Sequence, residues 1–140
     1  MIFPSPLFKF SKGAKKMKVI EAINHIDAVK PNVYDQETKI KWLSVLDGII
    51  KKEIIDTHEG GENVVFSEYT ASTSLMTELL VPAPYDDIYI KWLEAQIDYA
   101  NGEYGKYQNV KTMYNSAYLA FAAAYNRDHK PKNTARITHW

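Results

Sequence analysis

Residues 84–104, PYDDIYIKWLEAQIDYANGEY, constrain the fold more than any other stretch of the chain. Placed on a helix, Asp87, Lys91, Glu94 and Asp98 step by four, three and four and fall on one stripe. The residues beside that stripe are apolar on both sides, with Ile88, Trp92, Ala95 and Tyr99 on one flank and Ile90, Leu93 and Ile97 on the other. A helix with one polar stripe and two apolar flanks cannot rest one face on a core and leave the other in water; it has to be sandwiched between neighbours. The spacing predicts a helix from Pro84 or Tyr85 to Ala100, stopped by Asn101-Gly102. Asp86 and Glu103 sit off the stripe, near the helix ends.

Three further helices follow from the same periodicity. Val19, Ile20, Ile23 and Ile26 mark one from Met17 to about Val29, ended by Lys30-Pro31. Asp35 is a suitable N-cap for a second, and Glu37 suits the positive end of its dipole. Its buried stripe is Ile40, Leu43, Leu46, Ile50 and Ile54, running to about Thr57. Trp42 and Ile49 lie outside the stripe, so this helix is expected to touch something on a second side. Gly48 in its interior costs about 1 kcal/mol relative to Ala, which suggests close approach of a neighbour. A last helix from Glu103 or Lys106 to Arg127 carries Val110, Tyr114, Ala117, Tyr118, Phe121 and Tyr125 on its apolar face. The expectation is an all-α fold of about four helices in a small bundle. One long extended or irregular insertion, 58–83, interrupts it, with VVFSEYT as a short strand or extended segment and ASTSLMTELLVPAP as a mostly irregular crossing, and both termini are extended. The divisions are a basic arm at 1–16, a helical domain at 17–127 and a basic extended tail at 128–140.

The formal net charge is zero, but it is unevenly distributed. Residues 1–18 carry +5, residues 127–140 carry +3 and the body between them carries −8. Two basic ends therefore flank an acidic body, a division suited to ends that dock on acidic surfaces of neighbouring copies or partners. A nucleic-acid binder places its positive charge on the folded body, so the division argues against that class. No apolar run approaches the roughly 20 residues needed to span a bilayer, and MIFPSPLFKFSKGAKK does not read as a secretory signal. Without cysteine the chain has no disulfide, thiolate metal site or cysteine nucleophile.

Spacing also weighs the candidate chemistry. Carboxylate-bridged iron or manganese bundles need Glu-x-x-His pairs on two helices, and the sequence has none. The acidic stripe reads instead as packing, with Asp87 and Lys91 an i,i+4 pair worth about 0.2–0.5 kcal/mol. DTHEGGE offers Asp56, His58, Glu59 and Glu62, but it matches neither a calcium loop nor H-E-x-x-H, and a solvated loop is the expectation. No nucleophile elbow or phosphate-binding glycine loop occurs. Eight of the ten tyrosines lie between Tyr85 and Tyr125, at helical spacing among acids, a pattern of core and protein–protein contact. No catalytic residue, cofactor or metal is expected.

Three segments, KIKWLSVLDG, LLVPAPYDD and EAQIDYANGEYGKYQN, carry a resemblance that extends over about residues 17–127. The chain resembles the head–tail connector (adaptor) family of tailed bacteriophages and prophages. The resemblance implies a structural virion protein of the head–tail neck, assembled in the host cytoplasm. Its subunits would form a homo-oligomeric ring, typically a dodecamer, beneath the portal protein and would contact neck or tail-completion proteins. Genome DNA would pass through the channel without sequence-specific binding, and no membrane is involved. Subunit contacts would fall to Trp42, Asp87, Lys91, Trp92, Glu94, Asp98 and Tyr99. Docking on the portal or a neighbour would fall to Lys132, Arg136, Ile137 and Trp140. The competing reading is a small helical DNA-binding regulator, for which the last helix, with Lys106, Lys111 and Arg127, makes a poor recognition helix.

Overall fold

The computed structural model describes residues 14–132. Four helices make up most of it: α1 (Val19–Val29), α2 (Gln36–Ile50), α3 (Asp87–Ala100) and α4 (Tyr104–Asp128). The fold is not all-α, however. Lys16–Lys18 (β1) and Glu78–Pro82 (β2) pair antiparallel in a small sheet. This corrects the sequence reading twice over. The strand of the insertion is ELLVP, in a stretch read as irregular, while VVFSEYT forms no strand; and Met17 belongs to β1 rather than to the first helix. The reason is non-local. Leu79 and Val81 alternate inward to full burial, and the ladder that makes them a strand comes from residues some sixty positions earlier.

The insertion also completes α1. The first amides of a helix have no partner within it, and those of Val19 and Ile20 donate to the carbonyls of Thr77 (2.9 Å) and Leu75 (3.0 Å). Glu21 accepts from the Lys18 amide at 2.8 Å. At α2 the predicted cap is present, with Asp35 Oδ1 accepting from the Thr38 amide at 2.9 Å. Beyond Ile50 the helix widens into a π-helical turn, Lys51–Ile55, which keeps Ile54 and Ile55 buried. At the end of α3, Gly102 adopts φ +77°. Its amide reaches Tyr99 O at 3.0 Å and the Glu103 amide reaches Asp98 O at 2.9 Å, the paired bonds of a Schellman stop.

α3 lies at the centre, packed against α4 on one side and against α1 and α2 on the other. The neighbours demanded by its two apolar flanks are therefore helices of the same chain. Ile88, Leu93 and Ile97 are fully buried with Leu43, Leu46 and Ile50 of α2 and with Ile26 of α1. The seam with α4 is aromatic. Tyr85 meets Phe121, Trp92 meets Tyr114 and Tyr99 meets Tyr107, with centroid separations of 6.1, 5.1 and 5.2 Å. The residues of each set are seven apart, Tyr85 lying just before α3, so one antiparallel register aligns all three pairs, as in a coiled-coil seam.

Candidate functional site

The acidic stripe of α3 loses exposure along its length. Asp87 is exposed at the helix start, Lys91 and Glu94 are half-buried, and Asp98 is buried. The expected Asp87–Lys91 pair gives way to Lys91–Glu94, with Lys91 Nζ 3.9 Å from Glu94 Oε1. Asp98 pairs with Lys30 from the end of α1, Nζ to Oδ1 2.8 Å, and this carboxylate holds the Lys30 ammonium above its ordinary pKa. A shallow depression of about 230 Å³ lies over this pair, lined also by Glu94, Lys106 and Met113. Glu94 and Asp98 thus each have a lysine close by.

The other interface candidates divide between interior and surface. Trp92 is half-buried and donates from Nε1 to Trp42 O at 2.7 Å, while the Trp42 ring meets Tyr34 edge-on. Both tryptophans thus engage the chain's own helices. Tyr99 is 57 % exposed and forms a surface cluster with Tyr104 and Tyr107. Lys132 folds back on its own chain, its amide donating to Thr57 O at 2.9 Å and its ammonium 3.9 Å from Glu62. Arg136, Ile137 and Trp140 lie outside the described residues.

His58 corrects the expectation of a solvated DTHEGGE loop. It is buried, with Nδ1 2.6 Å from Ile54 O and Nε2 3.1 Å from Asn126 Oδ1, and its ring sits edge-on to Tyr125. Asp56 is paired with Lys51. The loop serves as a dock for the chain leaving α4: the Glu59 amide bonds Lys130 O at 2.8 Å, and His58 bridges Pro131. Among the described residues no group of three or more His, Asp and Glu could hold a metal ion.

Sequence reasoning missed the most unusual group, Asp47 of α2, which is fully buried. Its Oδ1 accepts from the Tyr89 hydroxyl at 2.6 Å, and its Oδ2 accepts from the Tyr69 hydroxyl at 2.6 Å and the Leu80 amide at 3.0 Å. Tyr89 in turn accepts from the Val81 amide at 2.7 Å, and the Tyr69 amide donates to Ser44 Oγ at 2.9 Å. Burial pushes the Asp47 carboxyl up to about 6, against the opposing effect of its three hydrogen bonds and the field of Lys16. Burial and the neighbouring Asp47 raise both tyrosines above their ordinary range. The signal was in the pattern: Asp47 lies four residues after Leu43 and three before Ile50, on the buried stripe itself.

One surface stands out on α4. No charged residue occurs between Lys111 and Arg127, although much of this run faces outward. Met113 is 51 % and Leu119 66 % exposed, with Ala120 and Ala123 on the same side. Among the described residues no helix is long and apolar enough to cross a membrane. Comparisons with protein-family models, curated proteins and solved structures returned no match for the chain.

Proposed function

We propose that this chain is a structural virion protein, a head–tail connector whose copies form a ring beneath a portal and join head to tail. The observation that carries the reading is the outward face of α4. An exposed helical run without charge, holding Met113 and Leu119 in water, suits a surface covered by a neighbouring copy. A cluster of exposed Tyr99 and Tyr104 with half-buried Tyr107 adds residues favoured at interfaces. The charge division adds support, since basic ends suit acidic bodies in adjacent subunits and a net-acidic body repels DNA in a channel. On this reading Asp98, Trp92 and Trp42 shape the subunit, while Asp87, Lys91, Glu94 and Tyr99 remain open to partners.

The test is the particle formed by the purified chain, alone and with portal-containing heads, viewed by electron microscopy and weighed by light scattering. Rings are expected in at least one setting, and Leu119→Glu is expected to disperse them while the helical signal persists. Monomers in both settings would overturn the proposal, as would rings indifferent to Leu119→Glu and Met113→Glu together.

A further inference from the structure

We propose that the groove between residues 65–69 and 77–80 takes an extended basic segment from a second copy of this chain, the tail at 133–140. The groove measures about 280 Å³ and has Phe66, Tyr69 and Leu80 in its lining. Asp47 ties its two sides together, accepting from the Tyr69 hydroxyl at 2.6 Å and from the Leu80 amide at 3.0 Å. Exposure alternates along one side, with Val64 and Phe66 half-buried and Val65 and Ser67 exposed, as on a strand. Yet no ladder covers that side. Among the described residues the amides and carbonyls of residues 65–68 make no hydrogen bond. Val65, 84 % exposed, leaves an apolar side chain on the same open edge. Unpaired backbone beside an apolar lining is completed by adding a strand, with main-chain bonds giving affinity and the lining giving specificity.

The charge of the rim selects the occupant. Glu68 and Glu78 both line the groove and are exposed, and neither has an ion-pair partner among the described residues. Two unpaired carboxylates suit a basic strand. The chain has two basic ends, and they differ in what they can pair. Residues 1–13 contain Pro4 and Pro6, which cannot donate to a ladder. The tail, NTARITHW, has no proline and carries the β-branched Thr134, Ile137 and Thr138. Its eight residues are more than enough to cover the four with unpaired backbone. In an extended strand Arg136 and Ile137 point to opposite faces. Ile137 settles on Phe66 and Leu80, while Arg136 reaches the carboxylates at the rim. This contact deepens the ring reading and rests on it only in taking copies of the chain to meet.

The test uses the full chain, which has no cysteine of its own. Ser67→Cys and Thr138→Cys are made in separate chains, mixed and oxidised, and the linked peptides are identified by mass spectrometry. A disulfide joining positions 67 and 138 of two chains is expected, roughly tenfold or more above the yield with Gln36→Cys in place of Ser67→Cys. Glu68→Lys with Glu78→Lys in the groove-bearing chain is expected to remove that excess, and Arg136→Glu in the tail-bearing chain to restore it. No excess, or an excess indifferent to these charges, overturns the proposal. So does a chain carrying both cysteines that closes on itself at dilutions where the mixed variants no longer join, since the tail then belongs to its own body. Rings that form without the cross-link overturn this contact alone and leave the connector reading standing. Cross-linking without rings supports the contact and counts against the ring.

Discussion

Removing the Asp98 charge tests whether the acidic stripe of α3 is architecture. In Asp98→Asn the isosteric amide keeps the shape of the side chain but leaves the Lys30 ammonium, now 2.8 Å from Oδ1, without its counter-ion. Breaking a buried pair from one side costs about 3–5 kcal/mol. Here the Lys30 side chain retains 20 % exposure against 2 % for Asp98, so water recovers part of the loss and about 2–3 kcal/mol is expected. Lys30→Met leaves the more costly orphan, since Asp98 Oδ1 is buried and has no other hydrogen-bond partner among the described residues; about 3 kcal/mol is expected. The double variant removes both charges, and its loss is expected to fall about 2 kcal/mol short of the sum of the single losses. Urea unfolding followed by circular dichroism supplies all four corners of the cycle. In thermal scans Asp98→Asn is expected to lower the Tm by about 5–10 °C, at roughly 2–4 °C per kcal/mol for a chain of this size. Since the pair raises the Lys30 pKa above 10.5, the contribution from the Lys30 proton is lost as the pH rises beyond that value. A coupling energy below about 0.5 kcal/mol would refute the reasoning, because the two groups would then be neighbours without being partners.

Two further outcomes follow from the packing. Trp92→Phe deletes the 2.7 Å hydrogen bond to Trp42 O and part of the ring facing Tyr114. About 2 kcal/mol of destabilisation is expected in chemical denaturation, and a loss under 0.3 kcal/mol would contradict the described role of this tryptophan. Gly48→Ala is expected to stabilise α2 by about 0.5–1 kcal/mol, since the added methyl meets the Phe66 ring at an ordinary 3.8 Å; a lower Tm would show the contact to be tighter than that.

What the sequence disclosed follows the range of the interactions. The Asp35 cap and the Asn101-Gly102 stop depend on bonds within a few residues and were legible. So was the sandwiching of α3, because its two apolar flanks are written into one stretch. The identity of the flanking partners was not: they are α1, α2 and α4 of the same chain. The small sheet was hidden because KMK has no strand signature of its own and gains one only by pairing with Glu78–Pro82. Asp47 stood in plain view on the buried stripe of α2, yet its partners Tyr69 and Leu80 lie 22 and 33 residues further on. For the same reason Gly48 was assigned too close a neighbour: Phe66 lies over it, but with room for a methyl group.

The aromatic seam between α3 and α4 has a mechanical consequence. Its three pairs act like teeth on two racks, and because the teeth on each rack are evenly spaced they engage or disengage together. A slide of one turn, about 5.4 Å, would carry Tyr118 and Tyr125 toward the places of Tyr114 and Phe121, so the hairpin carries a second set of teeth one notch along the same rack.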